Sequence, residues 1–508
     1  MGYYFLTGST GLLGQFLLRD ALIQERPLAV LVRPRASGIA TDRVEALLQG
    51  WEERLQRVLP RPVVIEGSLT EKGLGLTAAD RRWLSSRCET VVHSAASIRF
   101  NVDPRSQEPY YTNLDGTRHL STLCEQAGLR RFVHVSTAYV CGMRQGTVSE
   151  TELDRDQDFG NDYERSKFYA EQYIVDQWQS RGFTILRPSI IVGDFRSGYT
   201  STFHGFYTPL QLAHAMLSKT GSGLPDGAWF LRQLGLAGNE QKNIVPVDWV
   251  SANSWRLMDS AAQNQTYHLT HHTPITVAEM LEAMASSLGE FLQTASSNVV
   301  AGGPMATQVF QQHMAPYAAY FRDDPSFDAR QTEAVISSHT APIFGLSDLQ
   351  RLCQFALNSD FRSLPAVSTI QNENLSSTVC RLVDDNGKKT ADLPSDAARW
   401  VGFDVRGPGG CEFAVMERSN RFENIELGRR EFVHASIHTR TDVLFAIWQG
   451  QLSVADAISS GLLLSESDDT IATDERELQR LVMTLRETVH SPISPSAVAT
   501  PQFAAASD

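Results

Sequence analysis

Tyr163 and Lys167 stand four residues apart in Tyr163-Glu164-Arg165-Ser166-Lys167. On a helix that spacing puts both on one face. An ammonium beside a phenol favours the phenolate and lowers its pKa, which suits the tyrosine to giving a proton to a reacting oxygen. Thirteen tyrosines and six lysines in 508 residues would produce about 0.15 such pairs by chance. The plain alternative is a packing tyrosine beside an ion-pairing surface lysine. A second constellation is Thr7-Gly8-Ser9-Thr10-Gly11-Leu12-Leu13-Gly14, three glycines spaced by three. Gly8 permits a sharp turn, Gly11 lets backbone approach a pyrophosphate, and Gly14 lets a helix pack closely. The unpaired N–H groups of a helix starting at Leu12 and Leu13 would meet the phosphates, with Thr10 in the loop.

Elements of the right kind flank both constellations. Tyr4-Phe5-Leu6 reads as a strand before the glycines, and Leu13, Leu17, Leu18, Ala21 and Leu22 give the following helix an apolar face. Leu28–Val32 reads as a second strand, and it ends at Arg33. In NAD-binding folds an acid near this point holds the ribose 2′-OH. An arginine there can instead grip a 2′-phosphate, which favours NADPH, with Arg35 and Arg43 as candidate helpers. Pro62–Gly67, Thr90–Ala96 and Arg131–Thr137 read as three more strands. Helices are expected to open at a Thr77–Asp80 capping box and to run from Asn113 to Gly128. This alternation predicts an α/β chain with a doubly wound parallel sheet. Ligands of such sheets sit at the carboxyl ends of the strands, where the glycine loop, Arg33, Ser94, Ala95, Ser136 and Thr137 all fall.

The net charge of −13 argues against general nucleic-acid binding. No apolar run is long enough for a transmembrane segment. The first strand begins at once and the six cysteines are scattered. We therefore expect a cytoplasmic protein with reduced thiols and no metal. His268, His271 and His272 show no helical ligand spacing and no carboxylate partner in the sequence, so they read as ordinary polar histidines.

The motifs resemble the extended branch of the short-chain dehydrogenase/reductase superfamily. Within it they are most similar to the thioester reductase group, which includes fatty acyl-CoA reductases and the reductase domains of carboxylic acid reductases and peptide synthetases. The matching stretches are Thr7–Gly14, Val91–Ala96, Asn113–Thr117, His134–Val140 and Arg187–Gly193, and the likeness spans roughly residues 1–285. It implies an extended Rossmann fold with a substrate subdomain, an NADPH site including Pro188, Tyr163 and Lys167, and a catalytic set of Thr137, Tyr163 and Lys167. Thr137 holds the group's serine/threonine position, with Ser136 as the weaker substitute. Gly67-Ser68 departs from the Gly-Asp common in relatives. The implied substrate is an acyl thioester, arriving as a CoA ester or on an acyl carrier protein, since nothing here resembles an adenylation or carrier domain.

Residues 195–245 carry many glycines and exposed-looking aromatics (Tyr199, Phe203, Phe206, Tyr207, Trp229, Phe230), the kind of insertion that forms a substrate lid. Residues 278–357 read as mainly helical. The reductase domain is placed at 1–358, a polar linker at 359–374, a smaller α+β domain at 375–489 and a disordered tail at 490–508. Strands are expected at Ser377–Leu382, Trp400–Val405, Cys411–Met416 and Phe432–Ile437, then a helix at Asp442–Trp448 and a final helix at Asp474–Val489. The segment Gly450-Gln451-Leu452-Ser453 through Gly461 resembles sterol carrier protein-like domains; a dimerisation or docking module is the alternative. The function alternatives are an alcohol/ketone oxidoreductase in lipid, sterol or polyketide tailoring, and a non-catalytic NADPH-sensing lipid-binding protein. Acyl chain length, product and oligomeric state stay open.

Overall fold

A computed structural model of the chain describes residues 2–362 apart from 35–39, 56, 58, 221–230, 233–234, 261, 295–321 and 338–339. Beyond these it describes 379, 399–406, 411–418, 421–427, 433, 435–448, 450, 452–459, 463–467 and 475–490. The chain divides into two compact units, residues 1–368 and 369–508.

In the first unit the elements alternate: β1 (Tyr3–Thr7), α1 (Leu12–Ile23), β2 (Leu28–Val32), α2 (Ala40–Leu55), β3 (Val63–Glu66), α3 (Ala78–Arg87), β4 (Cys88–His93), α4 (Gly116–Gln126), β5 (Arg131–Val135), α5 (Asp162–Trp178), β6 (Phe183–Pro188) and, after the inserted segments, β7 (Gln265–Leu269). The seven strands form one sheet in the order β7-β6-β5-β4-β1-β2-β3, with every neighbouring pair parallel. Strands buried on both faces read as continuous apolar runs, and all five residues of β2 are buried. Successive residues feed opposite cores. Phe5, Val91, Phe132 and Ile185 pack with Ile174 and Trp178 on one side, while Leu6, Val92, Val133 and Leu186 pack with Leu17 and Trp255 on the other. The strand order reverses between β2 and β4, on either side of β1, so the crevice of a doubly wound sheet opens there.

The rest of the first unit includes α6 (Thr208–Thr220), α7 (Val247–Asp259), α8 (Val277–Thr294) and α9 (Leu346–Asn358). The aromatics of residues 195–245 do not stand exposed as the sequence suggested. Phe203, Phe206 and Tyr207 are buried with Leu281, Met284, Leu349 and Leu352 in a separate core, and Tyr199 packs edge-on against Trp51. Apolar surface on α8 and α9 supplies the partners that short-range reading could not see. Trp229 and Phe230 lie outside the described residues.

The second unit is a five-stranded sheet of β8 (Arg399–Arg406), β9 (Glu412–Arg418), β10 (Arg421–Leu427), β11 (Ala435–Arg440) and β12 (Leu464–Ser467), in the order β10-β9-β8-β11-β12. Only β8 and β11 pair in parallel. Helices α10 (Thr441–Trp448), α11 (Val454–Ser459) and α12 (Glu475–His490) complete it. Val401, Phe403, Leu444, Leu481 and Leu485 share its core. The expected strand at 377–382 is not seen: it lies outside the described residues except Val379, which is helical and packs into that core. β10 and β12 were not anticipated, because Arg421–Leu427 is too charged to read as a strand. The proposed linker and tail fall mostly outside the described residues.

One buried ion pair fixes α5 on the sheet. Arg187 of β6 meets Glu171 of α5 through Nη2 at 2.6 Å and Nε at 3.0 Å, and the Glu171 side chain is fully buried. Removing one member of such a pair leaves an uncompensated charge and costs about 3–5 kcal/mol, whereas an apolar replacement of both is often close to neutral. Glu171→Ala should therefore lower stability by about 3–5 kcal/mol in urea unfolding, and Arg187→Met with Glu171→Leu should recover most of the loss.

Candidate active site

The turn from β1 into α1 is built on two tight contacts. Gly8 has φ +78°, in the left-handed region, and a Cβ there would lie 2.5 Å from the Ala95 nitrogen. A Cβ on Gly14 would lie 1.9 Å from the Gly8 carbonyl oxygen. A bond from Gly11 N to Gly8 O at 2.9 Å closes the turn. α1 starts after Gly11 with no side-chain cap and no acidic residue in its first turn. The first N–H groups of a helix lack intrahelical partners, so this terminus keeps its donors and its positive end for a ligand.

That terminus opens on a cavity of about 560 Å³. The catalytic and cofactor-binding residues expected from the sequence line it: Gly8, Thr10, Gly11, Leu12, Leu13, Gly14, Arg33, Ser94, Ala95, Thr137, Tyr163, Lys167 and Pro188. Arg33 is exposed where β2 ends. Its carbonyl accepts from Arg43 Nη1 at 2.8 Å, and Arg43 also lines the cavity. Arg35 lies outside the described residues. Two buried hydroxyls in the lining, Ser136 Oγ and Ser189 Oγ, have no hydrogen-bond partner among the described residues. A cradle without side chains, an uncapped helix terminus and unsatisfied hydroxyls fit a dinucleotide.

Below the cavity floor a polar chain holds the ends of β1 and β4. Thr117 Oγ1 donates to Asn113 O at 2.5 Å, so toward His93 Nε2, 2.9 Å away, it accepts. The proton then sits on Nε2, and Nδ1 accepts from Thr7 Oγ1 at 2.7 Å. His93 is held neutral, its pKa pushed down to about 3 by burial and then by the Lys167 charge. Asn113 lies within a π-helical turn, Tyr111–Asp115, ahead of α4. The sequence suggested a plain helix from Asn113. The widened turn lets the Asn113 amide bind both Ser97 O and Ser166 Oγ, each at 2.9 Å, tying the loop after β4 to α5.

α5 begins at an Asn161 cap, whose side chain accepts from Glu164 N at 2.9 Å. It carries Tyr163 and Lys167 to the cavity one turn apart. The expected effect of the ammonium on the phenol is absent. The Lys167 Nζ donates to Val135 O at 2.6 Å. Burial, with Glu164 adding to it, pushes Tyr163 up to about 12. Burial also brings Lys167 down from 10.5 to about 7, against the opposing pull of Glu171. Thr137 Oγ1 accepts from Tyr139 N at 3.3 Å and reaches Pro188 O at 3.4 Å.

The far wall was not legible in advance. It is made by Ile98 and Phe100, by Ile190 and Phe206, and by Val277, Met280, Leu281 and Met284. The last four recur at helical spacing on α8, an apolar stripe that does not by itself distinguish core from cavity. Lys242, also in the wall, is paired with Asp324 at 2.5 Å. Among the described residues no group of three or more His, Cys, Asp or Glu could hold a metal. His268 bonds to Asp328 O and His271 to Pro342 O. His272 does have a carboxylate partner, Glu333 at 3.2 Å, which the distance in sequence concealed.

The lowered Lys167 pKa has a stability consequence with a definite sign. Between about pH 7 and 10.5 the unfolded chain binds the Lys167 proton and the folded chain does not, so stability rises with pH across that window and falls as pH drops through it. Lys167→Met should flatten the rise by up to about 1.4 kcal/mol per pH unit. Chemical denaturation of both proteins at stepped pH measures it.

Residues 6–254 match the NAD-binding family model described as "Male sterility protein". Fatty acyl-CoA reductase 1 of Rattus norvegicus is 28% identical over 280 residues, 48% of this chain and 52% of the rat protein. The L-2-aminoadipate reductase large subunit of Penicillium chrysogenum is 27% identical over 226 residues, 39% of this chain and 15% of that subunit. The chain thus spans about half the length of the acyl-CoA reductase it matches. Among solved structures, the terminal R domain from the myxalamid PKS-NRPS pathway aligns with a TM-score of 0.56 at 22% identity, over 72% of this chain and 92% of that domain. The reductase domain of a Mycobacterium tuberculosis nonribosomal peptide synthetase aligns at 0.51 and 18% identity, over 71% and 92%. Among the described residues no helix is long and apolar enough to cross a membrane. Residues 6–254 thus match this NAD-binding family model, part of the chain is similar to fatty acyl-CoA reductases, and the first unit has an extended Rossmann fold.

Proposed function

We propose that the chain is an NADPH-dependent oxidoreductase that reduces an acyl thioester, carried by CoA or an acyl carrier protein, to an aldehyde, and by a second reduction to the alcohol. The observation that carries this reading is a single cavity that joins the glycine cradle and Arg33 to Thr137, Tyr163 and Lys167 and then to an apolar wall on α8. The likeness of about half of the chain to fatty acyl-CoA reductases supports a thioester over a simple ketone.

The glycine loop and the N-terminus of α1 would hold the pyrophosphate, Arg33 the 2′-phosphate, and Lys167 the nicotinamide ribose. When bound, NADPH supplies the hydride to the thioester carbonyl carbon. Thr137 and Tyr163 polarise the carbonyl oxygen and stabilise the negative charge that develops on it. Tyr163, kept protonated at neutral pH by its burial, gives its proton to that oxygen. The resulting hemithioacetal breaks its C–S bond to release the thiol and the aldehyde. The apolar wall takes the acyl chain, each buried methylene being worth about 0.8 kcal/mol.

NADPH oxidation should be followed against matched acyl-CoA and carrier-bound thioesters, with thiol, aldehyde and alcohol quantified. Thiol release equal to the sum of aldehyde and alcohol formed is the expected result, and turnover of ketones or alcohols without any thioester turnover overturns the reading. Tyr163→Phe should lower kcat about 10²–10⁴-fold with little change in NADPH affinity, and near-normal turnover would mean that the proton comes from another group. Arg33→Asp should weaken NADPH roughly ten- to a hundredfold while sparing NADH. A wild-type preference for NADH in a binding titration would refute the assignment of Arg33.

A further inference from the structure

β4 and β5 place His93 and His134 opposite each other in register, with ring centroids 5.3 Å apart. The mechanism above uses neither. Lys167 reaches down from α5 to this pair. Its Nζ lies 2.6 Å from Val135 O and 3.3 Å from His134 Nε2, and His134 is fully buried. An ammonium is a donor with three hydrogens and no acceptor. To meet it, His134 must present a lone pair at Nε2, and the ring's single proton then sits on Nδ1. Among the described residues that Nδ1 is buried with no hydrogen-bond partner. Buried polar groups are rarely left so, because the desolvation goes uncompensated. An apolar residue would pack at this position without that cost, so the histidine calls for an explanation beyond packing.

We propose that His134 is a positioning residue: its Nε2 and the Val135 carbonyl take two of the three ammonium hydrogens of Lys167, which aims the third into the cavity, and the unpaired Nδ1 is the consequence. The groups facing Lys167 are few. Tyr163 and Glu171 come from its own helix, the latter paired with Arg187 of β6. His134 comes from β5 and His93 from β4. Both histidines are neutral, held well below the ordinary imidazole range by burial and then by Lys167, so His134 serves as an acceptor and not as a competing cation. A hydrogen bond to the charged form favours that form, so loss of Nε2 should make Lys167 give up its proton at lower pH.

The catalytic part of this inference rests on the thioester reductase reading; the geometric part does not. The test uses the full chain. Six lysines make an ε-carbon-13 lysine spectrum of the ligand-free protein sparse, and Lys167→Met assigns the signal. His134→Leu should lower the Lys167 titration midpoint by about one pH unit or more. It should also reduce kcat at pH 7 about tenfold, with the thioester KM within about twofold of wild type. His134→Gln sets an amide oxygen near the place of Nε2 and should behave as wild type, whereas His134→Asn reaches only the place of Nδ1 and should behave as His134→Leu. A Lys167 midpoint and pH–rate profile in His134→Leu equal to those of wild type overturn the proposal. Should His134→Leu not fold, the Asn and Gln variants decide: a shift in the first alone supports the role, and identical midpoints in both overturn it. If the wild type reduces no thioester, the functional reading fails separately, and the titration still decides the role of His134.

Discussion

The carbonyl of Gly8 occupies the space where a side chain at position 14 would begin. That contact, 1.9 Å from a notional Cβ, forces the start of α1 against the end of β1. The second contact, between Gly8 and the Ala95 nitrogen, brings the end of β4 to the same point. Between them they close the crevice where the strand order reverses, and the uncapped N-terminus of α1 is left facing it. A side chain at either glycine would push the helix off the strand or the strand ends apart. The phosphate end of the cavity is thus set by backbone packing, before any charged side chain contributes.

The other end of the cavity depends on how firmly α5 is held. The Arg187–Glu171 pair anchors it to β6, and Asn113 ties its Ser166 to the loop after β4. One attachment falls on the turn that carries Tyr163 and Lys167 and the other on the next turn, so the two side chains reach the cavity from a helix with little freedom to slide. This is the arrangement in which a site built on regular elements keeps its geometry. The polar chain from Asn113 through Thr117, His93 and Thr7 does the same for the strand ends beneath them, and its proton order is fixed by the donor at Thr117.

The sequence made the parallel sheet and its ligand-facing residues readable because each depends on short-range pattern. Glycine spacing, continuous apolar strands and a Tyr/Lys pair on one helical face are all local, and the catalytic and cofactor-binding residues expected from the sequence line the cavity. What escaped was long-range. Val277, Met280, Leu281 and Met284 form a stripe that any packed helix could show, and it becomes a cavity wall only because β5 and α5 lie across from it. Phe203, Phe206 and Tyr207 read as exposed until the partners on α8 and α9 appear. The π-turn at Tyr111–Asp115 has no sequence signature, since it follows from what Asn113 must reach. In the second unit the charged strand β10 defeats an argument from apolar alternation.

The electrostatics of the Tyr163–Lys167 pair also run against the simple expectation, and the reason lies in burial. A four-residue spacing guarantees proximity but not charge. Burial drives the phenol up to about 12 and the ammonium down to about 7, so near pH 7 the phenol is neutral and the lysine holds its charge only in part. Negative charge appearing nearby reverses that balance for the lysine alone, because an alkoxide oxygen favours the protonated form of both groups, which is the charged form of lysine and the neutral form of the phenol. Low dielectric strengthens this response as much as it penalises the resting charge. A lysine only partly charged at rest therefore responds strongly when negative charge develops beside it, and the fold need not maintain a permanent buried cation. On this argument the acceptors that hold Lys167 in place matter more to the chemistry than its average charge.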